Sequence, residues 1–247
     1  MLSANLTCHA RLRICVAVAN ASNMAIDLAH INTWIFDLDL TLYGPDANIM
    51  AQIRDRIALY VEQYFKIPSE DAHQIRQKYY QQYGTTLGGL MAEHAIDPHG
   101  YLDFVHDVDM MKLTPAPQLR ALITALPGRK LIFTNADAPY AERVLIARGL
   151  DGVFEDIFDI HRMGHLPKPA PRSYTALCQE LAIDPHRAVF VEDSAHNLVP
   201  AKAAGMTTIW VNHDGQAATS GHESDIDLEI KDLADWLSMI PSYESAL

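Results

Sequence analysis

The chain has 247 residues, 49% of them apolar, enough for one sizeable core plus a smaller unit and too apolar for wholesale disorder. A formal net charge of -12 argues against general affinity for nucleic acid or an anionic membrane. Cys8, Cys15 and Cys178 form no CxxC pair and the twelve histidines no HExxH, so neither a disulfide framework nor a zinc site is expected, and a reducing, cytoplasmic compartment fits.

Residues 1–31 read as an N-terminal extension. Arg11 and Arg13 precede a short apolar stretch at 14–18, too short for the core of a signal peptide, and Met24 is a candidate functional start. No apolar run reaches membrane-spanning length. Residues 34–36 form the first predicted strand, ending in Asp37, Asp39 and Thr41.

A helical block, residues 46–111, follows. Ile49, Ile53, Ile57, Val61 and Tyr64 recur at helical spacing, and Ala72, Ile75 and Tyr79 mark a second helix that stops near Gly84. Two shorter helices are expected over 86–95 and 98–107. Gly44-Pro45 and Leu113-Thr-Pro115 flank the block as linkers.

From Thr114 helices and strands alternate. Helices are expected over 118–126, 139–148, 171–181, 195–204 and 232–239, with strands over 130–133, 156–159, 188–191 and 207–211; residues 217–225 read as a polar loop. This alternation predicts an α/β fold, a Rossmann-like parallel sheet with helices on both faces. Residues 32–45 and 112–247 would form its core, and residues 46–111 an inserted helical cap.

Three strands end in chemistry-bearing residues. Asp37 and Asp39 follow the first; if strand geometry persisted to Asp39, both side chains would point to one side. Like charges so placed need a cation between them or a proton on one. Thr134 and Asn135 follow the strand at 130–133, and Glu192 and Asp193 end the one at 188–191. Lys168 stands between two prolines. Ligands of open parallel sheets bind outside the carboxyl ends of the strands, so these residues can converge on one crevice. Taken singly, each has a plainer reading: DxD as turn formers or a helix cap, Thr134-Asn135 as a turn, Lys168 as a solvated loop lysine, Glu192-Asp193 as a loop pair.

Together, Asp37-Leu-Asp-Leu-Thr41, Thr134-Asn135, Lys168-Pro169 and Glu192-Asp-Ser-Ala-His-Asn197 resemble the four ordered motifs of the haloacid dehalogenase superfamily of phosphohydrolases. Residues 79–90, His94, 96–98, 104–107 and 127–135 are similar to its pyrimidine 5′-nucleotidase branch. Leu40, Asn197 and Tyr140 depart from it, standing where relatives often have Asn, Asp and His.

The resemblance implies that Asp37 is the nucleophile, Asp39 the acid and base, Thr134 and Asn135 substrate contacts, and Lys168 a fixed charge on the phosphoryl group. It implies Mg²⁺ held by Asp37, the backbone carbonyl of Asp39 and Asp193, with Glu192 in support. UMP or CMP would be the substrate and the cap would set specificity. Tyr79, Tyr80 and Tyr83 are candidates for stacking on a base, although aromatics at this spacing are more often core. A sugar or other metabolite phosphatase is the alternative, ahead of a non-catalytic phosphate-binding relative. A carbon–halogen hydrolase is disfavoured because Asp39 has no role in that chemistry.

Overall fold

A computed structural model describes residues 26–215 and 223–240. Among the described residues the sheet has six parallel strands: β1 (Thr33–Phe36), β2 (Arg129–Phe133), β3 (Asp156–Phe158), β4 (Ala188–Glu192), β5 (Thr207–Val211) and β6 (Leu228–Ile230). Their order is β3-β2-β1-β4-β5-β6, the arrangement of a Rossmann-type sheet. Phe36 pairs in register with Ile132 on one side and Val191 on the other, which brings the ends of β1, β2 and β4 together.

Alternate strand residues feed two cores, as a pleated sheet requires. Trp34, Phe36, Ile132, Val189, Val191 and Ile209 face one side. There they meet α5 (Pro117–Ala125), α6 (Ala138–Ala147) and α9 (Leu233–Ser238). Ile35, Leu131, Phe133, Phe190 and Trp210 face the other, against α7 (Pro171–Glu180) and α8 (Ala195–Ala204). Each fully buried Leu, Ile or Phe contributes about 1.5–3 kcal/mol, so the strand ends project from a rigid base.

Between β1 and α5 lie four α-helices: α1 (Ile49–Phe65), α2 (Ser69–Tyr83), α3 (Thr86–His94) and α4 (Pro98–Val105). Thr85 caps α3 through Gly88 N, and Asp97 caps α4 through His99 N and Gly100 N. Gly84 ends α2 at a φ of 79°, a left-handed position that favours glycine. At Gly89, α3 lies so close to α2 that a Cβ would stand 2.2 Å from Tyr79 Cγ.

Some expectations need correction. The first strand ends at Phe36, as expected, but strand geometry does not persist to Asp39, because the chain turns away and Leu40 takes a φ of 59°. Period-two geometry therefore does not place Asp37 and Asp39 side by side. β6 was not expected; three residues carry too little pattern to show it. The proposed extension falls outside the described residues up to position 25, but Leu28 and Ile31 are buried in the main core. Most of the expected polar loop, residues 216–222, also lies outside the described residues.

Candidate active site

Lys168 is the hub of the crevice. Its Nζ donates to Asp37 Oδ1 at 2.6 Å, Glu192 Oε2 at 2.7 Å and the Phe133 carbonyl at 2.8 Å, which occupies all three ammonium donors. It also lies 5.1 Å from the centre of the Phe133 ring and 5.2 Å from that of Phe190. Burial alone would push Lys168 toward neutrality. The two carboxylates outweigh it and hold the ammonium above its ordinary range.

The loop carrying Lys168 is fixed by Asn135. The Asn135 side chain accepts from Lys168 N at 2.7 Å and donates to Lys168 O at 3.1 Å. Both atoms of the Asn135 side-chain amide are thus bonded to this backbone. Thr134, at the end of β2, accepts from Ala136 N at 3.0 Å, which leaves its hydroxyl proton to donate. Asp37 is anchored by its own N–H to Val191 O at 2.9 Å and by Thr41 Oγ1 to its Oδ2 at 3.3 Å.

Asp37, Glu192 and Asp193 form an acidic cluster in which one oxygen of each lies within 4.8 Å of the others. Three carboxylates against one ammonium leave a formal excess of two negative charges, which suits a divalent cation. An all-oxygen donor set suits a hard one. Burial first, then Glu192, pushes Asp37 up to about 7 against the pull of Lys168. Burial, Glu192 and Asp37 push Asp193 up to about 10. Glu192 is committed to Lys168 and, through Oε1, to Ser194 N at 3.2 Å. Asp37 and Asp193 are therefore the carboxylates better placed to hold a metal.

Asp39 stands apart from this cluster. Its Oδ1 accepts a short bond from the Tyr43 hydroxyl and one of 2.6 Å from Tyr140. Burial and the Asp39 charge push both tyrosines well above the usual phenol range, so they remain protonated donors. No sequence motif assigns Tyr140 to this contact. It is fully buried, and its ring stacks on His106.

Tyr79, a candidate for base stacking, is a core residue; its hydroxyl meets His94 Nε2 at 2.8 Å and Glu93 at 3.2 Å. Tyr80 is 71% exposed.

Residues 31–205, well over half of the chain, match the family described as haloacid dehalogenase-like hydrolase. The chain belongs to that family. It is 26% identical over 189 residues to Phosphate metabolism protein 8 of Saccharomyces cerevisiae, an alignment covering 70% of this chain and 59% of the yeast protein. It is 36% identical over 105 residues to the enolase-phosphatase E1 of Frankia alni, covering 41% of this chain and 43% of that one. The matched segments thus span about half the length of these curated relatives. A solved haloacid dehalogenase-family phosphatase from Thermococcus onnurineus shares the fold, with a TM-score of 0.59 and 19% identity, over 86% of this chain and 99% of that one. Among the described residues no helix is long and apolar enough to cross a membrane.

Proposed function

We propose that this family member is a Mg²⁺-dependent phosphomonoester hydrolase that acts on pyrimidine nucleoside monophosphates, UMP or CMP, in the cytoplasm. The observation that carries the reaction class is the buried triad of Asp37, Lys168 and Glu192 beside Asp193. The ammonium fixes a nucleophilic carboxylate and supplies positive charge where a phosphoryl group would develop negative charge. The helical block would act as a cap over the crevice, and the likeness of its residues 79–90 to the nucleotidase branch supports the choice of substrate.

The roles follow from the chemistry. A carboxylate oxygen of Asp37 bonds to phosphorus as the ester P–O bond breaks. The departing oxygen takes a proton from Asp39. Water then attacks phosphorus, gives its proton to Asp39 and releases inorganic phosphate from Asp37. Thr134 donates its hydroxyl to a phosphoryl oxygen. Asn135 holds Lys168 in place, and Lys168 contributes its fixed charge. Asp37, Asp193 and the Asp39 carbonyl would hold Mg²⁺, which supplies charge neutralisation on the phosphoryl oxygens when bound.

The likeness to an enolase-phosphatase favours a second reading, a phosphatase for a non-nucleotide metabolite such as a sugar phosphate. A panel assay of phosphate release decides. Faster hydrolysis of UMP and CMP than of AMP, GMP and sugar phosphates supports the nucleotidase reading. Equal rates would remove it and leave the phosphohydrolase reading standing. No release from any ester, with or without Mg²⁺, would remove both.

A further inference from the structure

The Asp39 carboxylate is clamped. Tyr43, four residues along the chain, and Tyr140, on α6, both donate to its Oδ1, and their hydroxyl oxygens lie 3.4 Å apart. Behind Tyr140 stands His106, the residue that ends α4. Its ring stacks on Tyr140 with centres 4.3 Å apart and planes 23° from parallel. His106 Nδ1 lies 2.6 Å from Asp137 Oδ1 at the head of α6, and its carbonyl accepts from Arg143 of α6 at 2.5 Å. The exit of the helical block is thus bonded twice to the helix that carries Tyr140.

We infer that Tyr43 and Tyr140 are positioning residues for Asp39, and that His106 positions Tyr140, so that the exit of the helical block is coupled to the proton-transfer carboxylate. The inference rests on the acid and base role of Asp39 proposed above. Both hydroxyls converge on Oδ1, which restrains rotation of the carboxylate and leaves Oδ2 to carry the proton. That proton passes from Asp39 to the departing oxygen as the P–O bond breaks and the bond from Asp37 to phosphorus forms. A carboxylate free to rotate would be misaligned for this transfer, and small misplacements of a reacting group cost large factors in rate.

The test compares kcat/KM for n-propyl phosphate and p-nitrophenyl phosphate. An alkoxide needs a proton to leave, whereas p-nitrophenolate does not, and kcat/KM reports the step in which the leaving group departs. Asp39→Asn, measured alongside, should lose far more on the propyl ester. Tyr140→Phe and Tyr43→Phe keep the rings and hence the packing. Each should lose about tenfold more on the propyl than on the nitrophenyl ester, a fraction of a full acid–base contribution. His106→Ala should shift the same ratio, and the double variant with Tyr140→Phe should be no worse than Tyr140→Phe alone, as expected of residues acting in series.

If Asp39→Asn is selective but Tyr140→Phe loses equally on both esters, or loses nothing, the positioning inference is overturned and the Asp39 role stands. If Asp39→Asn itself shows no selectivity, the acid role fails and the inference with it. Additive losses for His106→Ala and Tyr140→Phe would overturn the link to the helical block.

Discussion

Lys168 Nζ lies 2.6 Å from Asp37 Oδ1, and both groups are shut away from solvent. Burial raises the cost of an unpaired charge at either residue. Lys168→Met should therefore lower kcat about a hundredfold or more, since it removes a preorganised charge from the phosphoryl site. Steady-state phosphate release measures this. A variant with near-normal kcat would show that the ammonium only pairs with carboxylates.

Glu192 and Asp193 are neighbours with different work. Glu192 is tied to Lys168, whereas the ionised form of Asp193 is disfavoured by burial and by nearby carboxylates. Asp193→Asn should weaken the apparent Mg²⁺ affinity well beyond the effect of Glu192→Gln. Glu192→Gln should instead depress kcat at saturating Mg²⁺, by loosening Lys168. Mg²⁺ titrations of activity separate the two, and equal effects on affinity would contradict the division. Exhaustive chelation should abolish turnover until Mg²⁺ is restored.

The pair formed by His106 and Asp137 should make stability depend on pH. Burial disfavours the Asp137 carboxylate, but the His106 hydrogen bond and charge outweigh burial and hold it below its ordinary value of 3.8. A depressed carboxylate stabilises the fold above its unfolded pKa and loses that contribution as pH falls through its folded value. Asp137→Asn should therefore cost about 1–3 kcal/mol at pH 7, and the deficit should shrink as pH falls below the ordinary carboxylate value of 3.8. Urea unfolding of both proteins across that range checks this. A constant deficit would mean that the charge on Asp137 contributes nothing.

Gly89→Ala tests the packing of the helical block. A methyl group there would collide with the Tyr79 ring, which is itself held by Glu93 and His94. Overpacking of this kind costs about 1–3 kcal/mol. Thermal unfolding should report the loss, and an unchanged Tm would show that Tyr79 moves aside without strain.

The sheet was legible in the sequence because its central strands are short apolar runs that stop abruptly at polar residues. Residues 34–36 followed by Asp37, and residues 188–191 followed by Glu192, carry their own end signals. The helical block was legible through its 3.6-residue spacing and the helix stop at Gly84. Relationships that depend on tertiary closure were not. Tyr140 meets Asp39 across 101 positions, and no local pattern announces such a bond. The partner of Glu192 was not legible because Lys168 lies on a separate loop, although a carboxylate ending a central strand must find a cation or a proton. The turn after Phe36 was legible only as one reading of Asp37 and Asp39, since its conformation depends on Leu40 adopting a left-handed backbone that leucine rarely takes.

The central claim is that Asp37 attacks phosphorus. Phosphate release from UMP by the Asp37→Asn variant, at saturating Mg²⁺ and with a circular dichroism spectrum matching the parent, tests it most directly. The account predicts a loss of at least about a thousandfold, as when other covalent nucleophiles are removed. Turnover within about tenfold of the parent would contradict it, because the other carboxylate beside Lys168, that of Glu192, is already held by Lys168 and by Ser194 N.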